Sequence, residues 1–250
     1  MGRLQGRVAL VTGGSRGIGL ALARALRAES ACVALVARGR GDLERAAAEL
    51  GPDTLPLVAD ISDPDAVRRS FRELERRFGR LDMLINNAAL SQLHKLEEAS
   101  DEDLARAVGA NLMGVLYCVR EAIPMLRRSE QGEILNISSE SVQRPFPYLS
   151  VYAATKGAIE VLSLALRQEL RPDGIRVTLF RTGASASEGL ARDWPAERAA
   201  RAIELWKEQG LLEFAGQPMP TEVVAESIVH ALTRPHGSSV DFLELRSWPT

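Results

Sequence analysis

Short apolar runs alternate along this chain with longer segments in which apolar residues recur every three or four positions. The short runs have the length and the aliphatic content of buried strands. The longer segments have the period of helices that pack one face against a core. The predicted strands are 7–12, 32–37, 55–59, 81–86, 133–137, 175–180 and 241–245, and the predicted helices are 18–29, 43–50, 64–78, 101–127, 151–170, 196–209 and 221–232.

This alternation of strands and helices predicts an α/β fold. Repeated strand–helix–strand units place parallel strands side by side, and right-handed crossovers cover both faces of the sheet with helices. We therefore expect one doubly wound (Rossmann) domain across residues 1–250, with a parallel sheet of about seven strands. Residues 181–195 have no clear period, which is typical of a substrate loop or of an ordinary surface loop. We expect a substrate region at about 181–217.

The composition is that of an ordinary globular protein, and it excludes several classes of function. Hydrophobic residues make up 46% and charged residues 26% of the chain, and the formal net charge is −2. This charge gives no electrostatic reason to bind nucleic acid or an acidic membrane surface. Cys32 and Cys118 lie in apolar runs without the spacing of a zinc site, so no metal is expected. Without a targeting segment or an apolar run of about 18 residues, we expect a cytoplasmic protein.

A glycine-rich turn in the pattern Gly-x-x-x-Gly-x-Gly joins the first predicted strand to the first predicted helix. Glycines let the backbone approach a ligand closely, and the free amides at the start of a helix favour the negative charge of a pyrophosphate. Leu20 and Ala21 stand where a nucleoside-triphosphate loop would have Lys and Ser or Thr. A tight turn that needs glycine only for packing is the alternative. The candidate cofactor-binding residues here are Gly13, Ser15, Arg16, Gly17, Ile18 and Gly19.

The end of the second predicted strand carries the signal for the type of cofactor. In dinucleotide folds an acid at this point accepts a hydrogen bond from the ribose of NAD, whereas an arginine accommodates the 2′-phosphate of NADP. Here Ala37 is followed by Arg38, and no acid occurs before Asp42. Arg38, with Arg16 from the glycine-rich turn, predicts NADP(H) as the cofactor. The alternative is that both are solvated surface arginines.

Tyr152 and Lys156 lie four positions apart near the start of a predicted helix, which puts both side chains on one face. The ordinary pKa of tyrosine is about 10, and a nearby ammonium stabilises the phenolate and lowers that pKa. Such a tyrosine can give a proton to a carbonyl oxygen as a hydride arrives, or remove one from an alcohol in the reverse reaction. Tyr148 has Tyr152 at the same spacing, so it lacks the ammonium partner.

Taken together, these motifs resemble the short-chain dehydrogenase/reductase family, and the resemblance extends from Leu4 to about Leu245. It implies hydride transfer between NADP(H) and a carbonyl or secondary alcohol. The family order continues after the glycine-rich turn with Asp60, Asn86-Asn87-Ala88, Asn111, Ser138-Ser139 and Tyr152-x-x-x-Lys156. The implied catalytic residues are Asn111, Ser139, Tyr152 and Lys156, and the further implied cofactor-binding residues are Arg38, Asp60, Ile61, Asn87, Ala88, Tyr152, Lys156, Gly183 and Ser185.

The same resemblance implies a role for individual residues. It places Asp60 and Ile61 beside the adenine, and the backbone of Asn87 and Ala88 beside the adenine ribose. It assigns the substrate oxygen to Ser139, and to Asn111 a water that links Lys156 to solvent. Without the family order, Asn111 would be a backbone-bonded helix residue and Ser139 a turn hydroxyl.

The chain departs from the family pattern at Ser30, Ala89 and Thr182, where the family commonly has glycine, glycine and proline. The last two lie beside the expected nicotinamide position and so bear on the substrate pocket. The family packs its fourth and fifth helices about two-fold axes, which implies a homodimer or homotetramer. The other partner implied is a small carbonyl or alcohol. Two alternatives stay open: a catalytically idle NADP-binding sensor or scaffold, and a methyltransferase, which would leave Arg38 unexplained.

Overall fold

The computed structural model describes residues 2–187, 191–192, 194–235 and 237–248. The strands found there are β1 (Val8–Thr12), β2 (Cys32–Ala37), β3 (Thr54–Val58), β4 (Met83–Asn86), β5 (Glu133–Ser139), β6 (Arg176–Thr182) and β7 (Phe242–Leu245). They pair in parallel, in the order β3-β2-β1-β4-β5-β6-β7. The strands are continuous apolar runs because both faces of the sheet are covered. The predicted doubly wound fold is confirmed.

Helices pack on both faces of this sheet. They are α1 (Gly17–Ala28), α2 (Arg40–Leu50), α3 (Pro64–Phe78), α4 (Asp101–Val108), α5 (Gly114–Leu126), α6 (Ser150–Glu169), α7 (Ala196–Glu208), α8 (Leu211–Ala215) and α9 (Thr221–Leu232). On one face Leu74 of α3, Val119 of α5 and Ile159 of α6 belong to a single buried cluster. On the other face Leu22 of α1 and Ile228 of α9 belong to a second cluster. The two cores hold the sheet between them.

The continuous helix predicted over 101–127 is wrong as a single α-helix. A π-helical turn, Gly109–Met113, separates α4 from α5. Asn111 lies within this turn and is 1% exposed. Its Oδ1 accepts from the Leu90 amide at 2.7 Å, and its Nδ2 donates to the Leu90 oxygen at 2.8 Å and to Thr155 Oγ1 at 3.1 Å. These bonds offset the cost of burying the amide, and their partners are too distant in sequence for a hydrophobic pattern to reveal them.

The chain after β6 also differs from its prediction. The segment predicted as irregular, 181–195, begins inside β6, and Ser185 then forms an isolated parallel bridge with Met219. Helix α8 was not predicted, because five residues are too few to show a helical period. Residues 188–190 and 193 of the predicted loop lie outside the described residues.

No helix among the described residues is long and apolar enough to cross a membrane. No group of three or more His, Cys, Asp or Glu side chains in the same residues could hold a metal ion.

Candidate active site

A cavity of about 1240 Å³ extends along the carboxyl ends of the strands, where open parallel sheets bind ligands. It is larger than the roughly 300–1,000 Å³ usual for one small ligand, so it has room for a cofactor together with a substrate. Gly17 and Asn111 are not among its lining residues but lie in the adjacent start of α1 and in the π turn. The predicted site residues that line it are Gly13, Ser15, Arg16, Ile18, Gly19, Arg38, Asp60, Ile61, Asn87, Ala88, Ser139, Tyr152, Lys156, Gly183 and Ser185.

The glycine-rich turn packs its backbone closely against itself and against the end of β4. A side chain at Gly19 would place its Cβ 2.2 Å from the Gly13 oxygen, and one at Gly13 would lie 3.0 Å from Ala88 Cα. Gly13 also has a φ of 66°, in the left-handed region that favours glycine. Packing therefore requires glycine at these two positions, and this requirement is compatible with either interpretation of the turn. In the described structure Arg16 gives α1 no side-chain cap, so the first amides of α1 are available to an anion.

Asn87 holds this turn in place. Its Nδ2 donates to the oxygens of Thr12 at 2.8 Å and Gly13 at 3.3 Å. In return, Thr12 Oγ1 accepts from the backbone amides of Asn87 and Ala88, each at 3.0 Å. The side chain of Asn87 therefore ties β1 to β4, a structural role that the sequence analysis did not predict.

Arginine and aspartate side chains surround the part of the cavity beyond β2. Arg38 is exposed and lines it, as do Arg16 and Asp42. Asp42 forms an ion pair with Arg45 and also lies close to Arg38 in sequence. The predicted arginines and this acid thus line the same cavity, and the pairing with Arg45 reduces the negative charge that Asp42 presents.

Asp60 and Ile61 follow β3 and form a wall of the cavity. Asp60 Oδ1 accepts from the amide of Ser62 at 2.9 Å and from its hydroxyl at 2.7 Å, which fixes the carboxylate. Ile61 is buried against the start of α5, where a Cβ at Gly114 would come within 2.7 Å of Ile61 Cδ1. Both side chains are therefore held in a defined position.

Tyr152 lies in the first turn of α6 next to the end of β5, and it is 7% exposed. Burial raises the pKa of Tyr152 to about 12, while a hydrogen bond with the Ser139 hydroxyl opposes that rise. This direction is opposite to the lowering that the spacing from Lys156 predicts, because burial of the phenol has the largest effect on its pKa and the spacing does not encode burial. Ser139 Oγ also accepts from the Ser141 amide at 3.2 Å, so it is a turn hydroxyl as well as a cavity residue.

Lys156 lies beside Tyr152, as the spacing of the two residues predicts. Its Nζ is 5.8 Å from the centre of the Tyr152 ring and donates to the Ile137 oxygen at 2.7 Å. Burial lowers the pKa of Lys156 to about 8. The buried ammonium therefore has a titration range close to neutral pH.

Asn111 reaches this pair through Thr155. Thr155 Oγ1 accepts from Asn111 Nδ2 and donates to the Tyr152 backbone oxygen at 2.8 Å. Asn111 is thus connected to the first turn of α6. The water that the family resemblance assigns to Asn111 stays a prediction.

Glu140 is a buried carboxylate beside the site that the sequence analysis missed. It follows Ser139 directly, lines the cavity and is 4% exposed. Burial raises the pKa of Glu140 to about 6, and the charge of Arg246 opposes that rise. The available signal was a charged residue directly after a buried strand.

Aromatic side chains form the cavity wall around Tyr152, and the sequence analysis also missed them. Each of the three tryptophans of the chain, Trp194, Trp206 and Trp248, lines the cavity, as does Phe146. The rings of Phe146 and Trp206 meet edge to face, with centres 5.3 Å apart, and those of Trp194 and Trp206 do so at 5.9 Å. These residues are spread between positions 146 and 248, so no local pattern reveals them.

Comparison with known proteins agrees with this geometry. A model of the short chain dehydrogenase family matches residues 7–198. An uncharacterised oxidoreductase of Methylorubrum extorquens is 36% identical over 193 residues, which cover 76% of this chain and 77% of that protein. A 3-ketoacyl-(acyl-carrier-protein) reductase of Brucella melitensis, solved with NADH, has a TM-score of 0.83 at 29% identity and 97% coverage of each chain. A short chain dehydrogenase of Burkholderia cenocepacia, solved with NADP, has a TM-score of 0.83 at 29% identity and 98% coverage of each chain. This chain belongs to the short-chain dehydrogenase family.

Proposed function

We propose that this oxidoreductase transfers a hydride between NADP(H) and a carbonyl compound or secondary alcohol, with Tyr152 as its general acid and base. The observation that carries the proposal is the meeting of Tyr152, Lys156 and Ser139 in the same cavity as the glycine-rich turn. Membership of the short-chain dehydrogenase family supports the reaction type.

In the direction of reduction, Tyr152 gives its phenolic proton to the carbonyl oxygen. A pKa of about 12 keeps the phenol protonated at neutral pH, which is the form a general acid needs. The hydroxyl of Ser139 donates a hydrogen bond to the same oxygen while negative charge develops there. The dinucleotide, when bound, supplies the hydride.

Lys156 stabilises the phenolate that this proton transfer leaves behind. Its ammonium is held beside the Tyr152 ring by the bond to the Ile137 oxygen. One of its three N–H groups is used in that bond, so two are left for ribose hydroxyls. Asn111, through Thr155, positions the turn of α6 that carries Tyr152.

The residues present fit a dinucleotide. The uncapped amides at the start of α1, beside a cavity that Gly13 and Gly19 also line, suit a pyrophosphate. We assign the adenosine to the walls made by Asp60 with Ile61 and by Asn87 with Ala88, and the nicotinamide end to Gly183 and Ser185.

The preference for NADP(H) over NAD(H) rests on the cavity end beyond β2. Arg38 and Arg16 line it and offer charge-assisted hydrogen bonds to a 2′-phosphate. The negative charge of Asp42 disfavours a 2′-phosphate, but Asp42 forms an ion pair with Arg45. Similar structures hold either cofactor, NADH in one and NADP in another, so the arginines of this chain carry the assignment.

A catalytically idle NADP-binding sensor is the alternative function. It does not account for the presence of Asn111, Ser139, Tyr152 and Lys156 together in one chain. A methyltransferase has no need of the phosphate-binding arginines. We therefore favour the enzyme.

The remaining expectations are part of the same proposal. We assign residues 1–250 to one catalytic domain, with the substrate region at about 181–217, and we expect the protein in the cytoplasm. We also expect a homodimer or homotetramer that packs through the two predicted helices 101–127, which comprises α4, the π turn and α5, and 151–170, which corresponds to α6. The exposed apolar side chains Val161 and Leu164 of α6, 66% and 55% exposed, support this interface.

The proposal is tested by mixing the purified protein with NADPH and a panel of aldehydes and ketones and following the absorbance of reduced nicotinamide. We expect a decrease in absorbance that depends on both the protein and the carbonyl compound. NADPH binding without turnover of any compound, in this direction or with NADP⁺ and the matching alcohols, would favour the sensor instead.

A further inference from the structure

The cavity wall around Tyr152 indicates what the substrate is, given that the proposed function is correct. We infer that the substrate is an uncharged carbonyl compound that carries an aromatic ring. Three independent features of the wall support this class: its rings, the use of their N–H groups and its charges.

The first feature is the concentration of aromatic rings. Aromatic residues make up 5% of the chain, yet all three tryptophans and Phe146 line this one cavity. Phe146, Trp194 and Trp206 belong to the same apolar cluster as Tyr152 and Leu149. Phe146 and Trp206 are almost fully buried, and Trp206 supports Trp194 edge to face, so half-buried Trp194 offers most of the ring surface on which another ring can pack.

The second feature is that the indole N–H groups are already used. Trp194 Nε1 donates to the Ser91 oxygen at 3.1 Å, and Trp206 Nε1 donates to the Pro147 oxygen at 2.8 Å. These two rings therefore offer apolar surface and no donor. A polyhydroxylated substrate packed against them would leave hydroxyl groups without partners, which is costly.

The third feature is the sign of the charges. Of the charged side chains that line the cavity among the described residues, Arg16, Arg38, Asp42 and Asp60 belong to the proposed cofactor region, Arg106 comes from α4, and Lys156 is the proposed partner of Tyr152. The remaining two are Glu140, which follows Ser139, and Glu213 of α8, a helix that packs in the same cluster as Tyr152 and Trp206. Arg246, the nearest guanidinium to Glu140, pairs with it and stacks on the Phe214 ring, with Cζ 3.8 Å from the ring centre. A carboxylate on the substrate would meet acidic side chains here, so the wall disfavours keto acids.

Trp248 adds a surface that is unusual for so large a side chain. It is 86% exposed and lines the cavity. Because this exposed ring lines the same cavity as Trp194 and Trp206, a bound ring can contact it.

Three compounds test the need for a ring and the effect of a charge separately. Phenylacetone has the ring and no charge. In phenylpyruvate a carboxylate replaces the methyl group of phenylacetone, and butanone lacks the ring. With NADPH, we expect kcat/KM for phenylacetone to exceed that for each of the others by about tenfold or more, the scale of burying one aromatic ring. Equal or better use of phenylpyruvate or butanone would overturn the inference.

Two exposed positions test the wall without disturbing the core. Trp248→Ala should lower kcat/KM for phenylacetone several-fold but leave butanone unchanged, whereas Leu96→Ala, at another exposed apolar residue outside the cavity, should change neither. Glu213→Lys should raise the use of phenylpyruvate, whereas Glu208→Lys, at an exposed residue of α7 that does not line the cavity, should not. Wild-type selectivity in Trp248→Ala and Glu213→Lys would contradict the assignment.

A binding measurement distinguishes this inference from the proposed function. Quenching of tryptophan fluorescence in the Tyr152→Phe variant reports binding of each compound without turnover. Tighter binding of phenylacetone than of phenylpyruvate, without turnover by the wild type, would support the substrate class and contradict the reductase. Turnover of butanone or phenylpyruvate without preferential binding of phenylacetone would support the reductase and contradict the substrate class.

Discussion

The carboxylate of Glu140 lies 3.3 Å from Nε of Arg246, and this pair joins the residue after Ser139 to the segment after β7. Arg246 also contacts the ring of Phe214 in α8. Gly183 lies between them, since a Cβ there would come within 3.2 Å of both Glu140 Oε2 and Arg246 Cα. The pair therefore connects the catalytic end of β5 to the aromatic wall.

Glu140→Gln should change how stability depends on pH. Burial raises the pKa of Glu140 to about 6 in the folded protein, above its ordinary value of 4.5, so the stability this group contributes is present below pH 4.5 and is lost as pH rises through 6. Between pH 4 and pH 7 the free energy of unfolding of the wild type should fall by about 2 kcal/mol relative to that of the variant. Each unit of pKa shift corresponds to about 1.4 kcal/mol. Denaturant unfolding of both proteins at the two pH values measures this difference. If the wild type instead gains stability relative to the variant over this range, the pKa of Glu140 is not raised in the folded protein.

Lys156→Arg keeps the charge but should impair reduction. The wild-type rate should fall as pH rises through about 8, because Lys156 loses its proton there. Arginine stays charged, so this limb of the pH profile should disappear, while the larger guanidinium should lower turnover by about 10²-fold through misplacement. Lys207→Arg, at an exposed residue of α7, is the matched control. If Lys156→Arg has the same pH profile as the wild type, the protonation state of Lys156 does not control the rate.

Ala37→Asp combined with Arg38→Leu should invert the cofactor preference. The double substitution removes an attraction for the 2′-phosphate and adds an acceptor for the 2′-hydroxyl of NAD. Charge-assisted hydrogen bonds to the phosphate correspond to roughly 10- to 100-fold in affinity, and because Arg38 is exposed the effect should weaken with salt. The dissociation constants of NADPH and NADH measure this, with Arg40→Leu as the control because Arg40 pairs with Glu44. Tighter binding of NADH by the wild type would overturn the assignment.

Val161→Glu combined with Leu164→Glu should dissociate the proposed oligomer. Both side chains are exposed on α6, and a charge on each would have to be desolvated in a packed interface. Light scattering at micromolar concentration should show a dimer or tetramer for the wild type and a smaller species for the variant. Leu96→Glu, also at an exposed apolar residue, should leave the assembly intact. A monomeric wild type would rule out this interface.

The sequence predicted the sheet well because its central strands are largely buried, and β1 and β2 therefore read as continuous apolar runs. The glycine-rich turn and Arg38 were predicted from their places after strands, whereas Asp60, Asn87 and Gly183 were implied by the family resemblance, and all of them line the cavity. The backbone conformation of Ser30 is a feature that such hydrophobic patterns do not predict. This residue has a φ of 66°, in the left-handed region, where the family commonly has glycine.

The features that the sequence did not predict depend on contacts between distant segments. The π turn is accompanied by hydrogen bonds from Asn111 to Leu90 and Thr155. The rise in the pKa of Tyr152 comes from burial, which no spacing between two residues encodes. The aromatic wall likewise unites Phe146 with Trp248, about a hundred positions apart, so only the folded chain reveals it.

The most direct test of the central claim is a comparison of Tyr152→Phe with Tyr148→Phe. Both variants remove one phenolic hydroxyl within the same short segment, but Tyr148 is not among the residues that line the large cavity. With NADPH and the best carbonyl compound of the panel, Tyr152→Phe should bind NADPH normally and lower turnover by about 10²-fold or more, and Tyr148→Phe should turn over at nearly the wild-type rate. Near-normal turnover by Tyr152→Phe would contradict the assignment of Tyr152 as the proton donor.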